Sequence, residues 1–136
     1  MTEKIQTIAI LGGTGDLGGG LARQWSRAGY QICIGSRTVD KGLAAANDLL
    51  AEFPDLNVTG HDNISAAQLA DVVVLTVPFA HQLSTLGSVK QALDGKVLID
   101  VTVPLVPPKV GTVQLPEAGS AAMQAQQYLG ESVSVV

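Results

Sequence analysis

The sequence is poor in several features that would point to particular functions. It has one cysteine, Cys33, in 136 residues. A single cysteine cannot build an internal disulfide framework, and it fits a reducing, cytoplasmic setting. Aromatic residues make up 4% of the chain, too few for platforms that stack unpaired bases. Eight Lys and Arg stand against twelve Asp and Glu, giving a net charge of −4 with no basic run. Neutralising a phosphate backbone takes clustered cations, so nucleic acid is not an expected partner. No apolar run reaches membrane-spanning length; the longest, Val72 to Val77, is strand-sized. The opening Met1-Thr2-Glu3-Lys4 leads straight into an apolar stretch, which argues against a signal peptide. The two histidines, His61 and His81, lack partners at metal-ligand spacing, so no metal site is expected.

What the chain does have is glycine and apolar residues. Hydrophobic residues make up 46% and glycines number 15. The length suits one domain, residues 1–136, with a real core. The first apolar run, Ile5 to Leu11, leads into Gly12-Gly13-Thr14-Gly15-Asp16-Leu17-Gly18, and a helical pattern of Leu17, Leu21, Trp25 and Ala28 follows. Gly13, Gly15 and Gly18 have the spacing G-x-G-x-x-G between strand and helix, the fingerprint of a dinucleotide-binding βαβ unit. On this reading Gly13 turns the chain off the strand, Gly15 lets backbone approach a pyrophosphate, and Gly18 packs the helix on the sheet. Gly19 and Gly20, poor helix formers, suggest that something approaches the start of that helix, or that packing there is loose.

The rest alternates in the same way. Strands are expected over 30–35, 56–59, 72–77, 97–101 and 132–136. Helices are expected over 40–53, 80–93 and 118–129, with a short one capped by Ser65 and ending near Ala70. Leu43, Ala46, Leu50 and Phe53 form one face of the second helix, and Leu83, Leu86, Val89 and Leu93 point inward from the next long one. His61 falls in a loop after the third strand. Val103 to Pro116, with four of the six prolines, is an irregular connector. This order predicts an α/β Rossmann-type, doubly wound parallel sheet, strand order 3-2-1-4-5-6, with helices on both faces.

Three strand ends are candidates for chemistry. Where an NAD site carries an acid about 20 residues past the glycines, this chain has Gly35-Ser36-Arg37-Thr38. Arg37 offers a planar donor fork, Ser36 and Thr38 offer hydroxyls, and Lys41 adds charge one turn on. These suit a 2′-phosphate and point to NADP(H) over NAD(H). The alternative is a solvated Arg and Lys at a helix start, which is weakened because cations are unfavourable there without an anion. Thr76-Val77-Pro78-Phe79 ends the fourth strand at the switch point of the sheet. It is either backbone facing the cofactor's ribose or nicotinamide, or a proline-terminated strand with Phe79 packed on the surface. Thr102-Val103-Pro104-Leu105, after the fifth strand, lies near the nicotinamide and any substrate by the same rule, or is a plain connector. His81 reads as an exposed helix-start residue or one facing substrate. Cys33 and Trp25 read as core, and Asp100 is not assigned as a base. No catalytic residue is assigned, since hydride transfer is carried by the cofactors.

Ile10-Leu11-Gly12-Gly13-Thr14-Gly15-Asp16-Leu17-Gly18, then Gly35-Ser36-Arg37, then Thr76-Val77-Pro78-Phe79-Ala80-His81 resemble the NADPH-dependent reductases of coenzyme F420. Pro104-Leu105-Val106-Pro107 is similar to that family's loop after strand five. The resemblance implies hydride exchange between NADPH and a deazaflavin acceptor. It places Thr14, Gly15, Asp16 and Leu17 on the pyrophosphate, Ser36, Arg37 and Lys41 on the 2′-phosphate, Val77, Pro78 and His81 beside the nicotinamide, and Pro104 and Leu105 near the deazaflavin. It also implies a homodimer and a further segment after the sixth strand that completes the substrate pocket. A chain ending at Val136 is then expected to be a truncated form or a nucleotide-binding remnant. The alternatives are a non-catalytic NADP(H)-binding or sensor module, or a reductase using a flavin or other acceptor.

Overall fold

The computed structural model describes residues 7–102 and 116–136. Pro104 and Leu105 therefore lie outside the described residues. Six strands, β1 (Thr7–Leu11), β2 (Gln31–Ser36), β3 (Val58–Asp62), β4 (Val72–Leu75), β5 (Val97–Asp100) and β6 (Ser134–Val135), form one sheet in the order β3-β2-β1-β4-β5-β6. All five pairings are parallel. The crossovers carry α1 (Asp16–Arg27), α2 (Val39–Glu52), α3 (Asn63–Leu69), α4 (Gln82–Val89) and α5 (Ala121–Leu129).

Alternation along each strand builds two cores, one on each face of the sheet. Ile8, Ile10, Ile32, Ile34 and Val74 join Ala22 of α1 and Ala46 of α2. Ala9, Leu11, Cys33, Val73 and Leu75 join Ala66 of α3, Leu86 of α4 and Ala125 of α5. Each fully buried Ile, Leu or Val contributes roughly 1.5–3 kcal/mol, and Ile10, Leu11, Ile32, Ile34, Val73, Val74 and Leu75 of the central strands are among them. The doubly wound Rossmann-type architecture and its strand order agree with the sequence. Cys33 is buried, as expected, and burial pushes its thiol pKa up.

Several local expectations change. α3 is capped by Asp62, whose Oδ1 accepts from the Ser65 N–H at 2.8 Å, so Ser65 is the third residue inside the helix and not its cap. β3 runs further than expected and contains His61, whose Nε2 lies 2.8 Å from Thr59 Oγ1. β4 stops at Leu75, level with Leu11, the last residue of β1. The expected helix over 80–93 is tightened into 3-10 turns at Phe79–His81 and Lys90–Leu93, leaving α4 between them. There Gln82 takes the inward position and Leu83 is 39% exposed.

Gln82 is fully buried because its amide is satisfied: Nε2 donates to Asp100 Oδ2 at 2.6 Å and to the Ala121 carbonyl at 2.8 Å, while Oε1 accepts from Gln124 at 2.8 Å. In α2, Leu43 is exposed, and Gly42 and Ala46 face inward. The cause is a side-chain-free seam: a β-carbon on Gly60 would lie 2.2 Å from the Gly42 carbonyl oxygen, and one on Gly42 would lie 2.3 Å from that of His61. In α1, Trp25 packs on the core from a half-buried position, whereas Leu17 is exposed. Nothing lies within 4 Å of a β-carbon built on Gly20, and Gly19 meets only a carbonyl oxygen at 4.0 Å, so no part of the described chain presses on them.

Candidate functional site

The site grows from the carboxyl ends of β1, β2 and β4, where the crossovers diverge to opposite faces of the sheet. β1 leaves through Gly12, which adopts φ +76°, a conformation that favours glycine. The sharp turn off the strand thus belongs to Gly12, not to Gly13. Gly13 serves a different need: its β-carbon would lie 2.9 Å from Ile34 Cγ2 and 3.0 Å from the Ile10 carbonyl oxygen. Backbone N–H groups of Gly12 and Gly13 both reach the Gly35 carbonyl, at 3.0 and 3.2 Å, which ties the loop to the end of β2.

Gly15 is the N-cap residue of α1, and no side chain caps that helix. α2, α3 and α5 are capped by Thr38, Asp62 and Ser120. The amides opening α1 therefore have no intrahelical or side-chain acceptor, and the positive end of a 12-residue helix faces the cleft. A β-carbon on Gly15 would meet only the Gly12 carbonyl, at 3.7 Å, so the approach to these amides is open. Gly18 is the opposite case. Its β-carbon would lie 2.6 Å from Gly13 Cα, 2.8 Å from Thr76 Oγ1 and 3.0 Å from the Gly12 carbonyl. It packs helix, loop and the end of β4 together.

These elements enclose a cleft of about 700 Å³, within the usual range for small-molecule sites. Thr14, Gly15, Asp16 and Leu17 line one part of it, Ser36, Arg37 and Lys41 a second, and Thr76, Val77, Pro78 and His81 a third. The site residues expected from the sequence within the described chain line the cleft, except Gly13 and Gly18, which pack against its walls, and Thr38, whose hydroxyl caps α2 instead. Thr76 Oγ1 donates to the Leu11 carbonyl at 2.8 Å, which fixes the turn into Pro78. The His81 N–H donates to the Pro78 carbonyl at 2.8 Å, and Ser84 Oγ to the His81 carbonyl at 3.1 Å, setting the backbone that presents the His81 ring. Thr38 Oγ1 accepts from the Lys41 N–H at 3.4 Å, holding the first turn of α2 beside Arg37.

Sequence reasoning missed Asn63, Val101, Ser84 and Thr85, which also line the cleft. Val101 follows a strand end, and that rule alone could have found it. Asn63 became readable only once Asp62, not Ser65, was the cap. A second hollow, of about 600 Å³, lies between α5 and β6. It is remote from the glycine loop, and among the described residues Glu131 is its one charged lining residue. Among the described residues no group of His, Cys, Asp and Glu could hold a metal, and no helix is long and apolar enough to cross a membrane.

Solved structures with the same fold include lactate dehydrogenase from Cryptosporidium parvum, at TM-score 0.71 and 16% identity, covering 95% of this chain and 43% of that one. Pyrroline-5-carboxylate reductase from Coxiella burnetii aligns at TM-score 0.65 and 23% identity, covering 97% of this chain and 43% of that one. At these identities they speak for the fold alone. Sequence relatives are nearer. The F420-dependent NADP reductase of Methanothermobacter marburgensis is 54% identical over 100 residues, 72% of this chain and 45% of that protein. The reductase of the same name from Methanocaldococcus jannaschii is 38% identical over 132 residues, 92% of this chain and 59% of that protein. The chain thus spans about half the length of the relatives it matches. A family model described as "NADP oxidoreductase coenzyme F420-dependent" matches residues 7–104, a span holding the glycine loop, the Ser36-Arg37 strand end and the β4 turn, and the chain belongs to that family.

Proposed function

We propose that this chain is a single NADP(H)-binding domain of an oxidoreductase that exchanges hydride between NADPH and a deazaflavin acceptor of the F420 type. The observation that carries this is one cleft lined by both the uncapped start of α1, after β1, and the Ser36-Arg37-Lys41 cluster, after β2. The first suits a pyrophosphate and the second a further phosphate monoester. No acid stands at the end of β2 to bond a free 2′-hydroxyl, since Ser36 and Arg37 occupy that place.

In this reading the amides of Asp16 and Leu17 hold the pyrophosphate, and Ser36, Arg37 and Lys41 hold the 2′-phosphate. Val77, Pro78 and His81 wall the nicotinamide side, with Thr76 fixing their backbone. The dinucleotide, when bound, supplies the hydride chemistry; the chain's part is to bind, to orient and to keep one face of the site covered. Pro104 and Leu105 are assigned to the acceptor side. The homodimer and the cytoplasmic setting belong to the same reading.

A second reading is a module that binds NADP(H) without turning it over. It rests on the uncapped start of α1 and the Ser36-Arg37-Lys41 cluster alone, which account for binding the dinucleotide without a further step. An absorbance assay with NADPH and oxidised F420, run beside calorimetric titration of NADP⁺, separates the two. Turnover supports the enzyme, binding without turnover supports the module, and no binding overturns both.

A further inference from the structure

Asn63 is a cleft residue whose side chain has an unmet bond. It opens α3, is 7% exposed and lines the cleft. Its Oδ1 is buried and has no hydrogen-bond partner among the described residues. That atom lies 2.8 Å from the place a β-carbon on Gly35 would take. Leaving a buried carbonyl oxygen unpaired is costly, and an apolar side chain of the same shape would avoid the cost. A polar group kept at such a cost beside a ligand cleft points to a ligand as its partner.

The position defines which part of a ligand it would meet. β2 pairs with β3 so that Gly35 lies against His61 and Ser36 against Asp62. Asn63 follows Asp62 and opens α3, and its side chain reaches the Gly35 position from the sheet face that carries α3. Arg37 and Lys41 lie toward α2, on the other side of the β2 carboxyl end. A ribose seated between them would turn one edge to the cations and the other to Asn63.

The chemistry of the two edges differs. Arg37 and Lys41 only donate, which suits a phosphate. An adenosine ribose phosphorylated at its 2′-oxygen keeps one free hydroxyl, the 3′, and that hydroxyl needs an acceptor. An aspartate would accept but would repel the adjacent phosphate; an asparagine accepts without charge. The terminal torsion of asparagine is broad, so the oxygen can swing from the Gly35 notch toward the cleft.

We propose that Asn63 is a specificity-determining residue that accepts a hydrogen bond from the 3′-hydroxyl of the adenosine ribose of NADP(H). The proposal rests on the reading of the cleft as an NADP(H) site. The full chain and its Asn63→Leu and Asn63→Ala variants are titrated calorimetrically with NADP⁺ and with 3′-deoxy-NADP⁺, and their unligated melting temperatures are recorded. The wild type is expected to bind NADP⁺ about 3- to 10-fold more tightly than the deoxy analogue, the worth of one hydrogen bond. Both variants lose that preference, and the Leu variant melts at or above the wild-type temperature. The Ala variant carries the test by itself if the Leu side chain does not fit.

Two results overturn the inference while leaving the NADP(H) reading intact: a wild type that binds NADP⁺ but does not distinguish the analogue, or variants that keep the preference. A wild type that binds no NADP⁺ overturns the parent reading and this one together.

Discussion

Gly18 and Thr76 meet so closely that a β-carbon on the glycine would lie 2.8 Å from the threonine Oγ1. The same Oγ1 donates to the Leu11 carbonyl at 2.8 Å. One hydroxyl thus links the last residue of β1 and the turn after β4, and it sits against the first turn of α1. The glycine loop is not a flap laid over the sheet; it is packed into the sheet's edge.

Gly18→Ala therefore acts on stability before it acts on binding. The added methyl meets backbone at 2.6 and 3.0 Å as well as the hydroxyl, and backbone cannot move aside cheaply. Overpacking of this kind costs about 1–3 kcal/mol. Urea denaturation should show a lowered midpoint with unchanged slope, and an unshifted midpoint would contradict the close packing.

Gly15→Val should do the reverse. Its β-carbon has only one neighbour, at 3.7 Å, and its backbone is extended at φ −82°, so the fold has room for the side chain. The same side chain stands in the approach to the free amides of α1. The melting temperature should stay within a degree or two while NADP⁺ binding by calorimetry is lost. Retained affinity would remove the pyrophosphate from that loop.

Arg37→Glu replaces a donor fork with a like charge to phosphate. Hydrogen bonds to charged groups are worth about 1.5–3 kcal/mol, so NADPH affinity should fall at least 10-fold. NADH, which has no phosphate there, should change much less. Measured by fluorescence titration, an equal loss for both nucleotides would sink the 2′-phosphate assignment.

Asp62 offers a pH-dependent test. Hydrogen bonds from the Ser65 N–H and hydroxyl hold its carboxyl below the ordinary value of 3.8. A carboxylate with a depressed folded pKa stabilises fully above its unfolded pKa, and that stability is lost as pH falls through the lower folded value. Asp62→Ala should cost about 1 kcal/mol at neutral pH through the lost cap. Below about pH 4 the gap between wild type and variant should close, as followed by circular dichroism during thermal melts.

The fold was largely legible because the strands are continuous apolar runs, and a parallel sheet buried on both faces produces just that pattern. The glycine spacing and the Ser36-Arg37 strand end made most of the cleft legible too. What escaped depended on tertiary context. Leu83 reads as inward until Asp100, Ala121 and Gln124, brought together by the fold, draw Gln82 into the core in its place. Leu43 reads as core until the contact of Gly42 with β3 turns the helix. Ser65 and Asp62 are both good caps, and only the length of β3 chooses between them. Asn63 sits in no motif, and its open bond exists only because Gly35 leaves a notch for it.

The seam between Gly42 and β3 also bears on how coenzyme preference can change. Lys41, which we propose meets the ribose phosphate, stands one position before a ledge whose height is set by backbone resting on backbone. The exposed charges of Arg37 and Lys41 can be exchanged without moving it, so if they hold the phosphate as proposed, a switch between phosphorylated and unphosphorylated dinucleotides is open to surface substitution alone. Any enlargement of Gly42 or Gly60 would raise the ledge itself and misplace every residue on it, whatever their charge. On the proposed reading, engineering for coenzyme choice thus has free letters at the exposed Arg37 and Lys41, and fixed ones at Gly42 and Gly60.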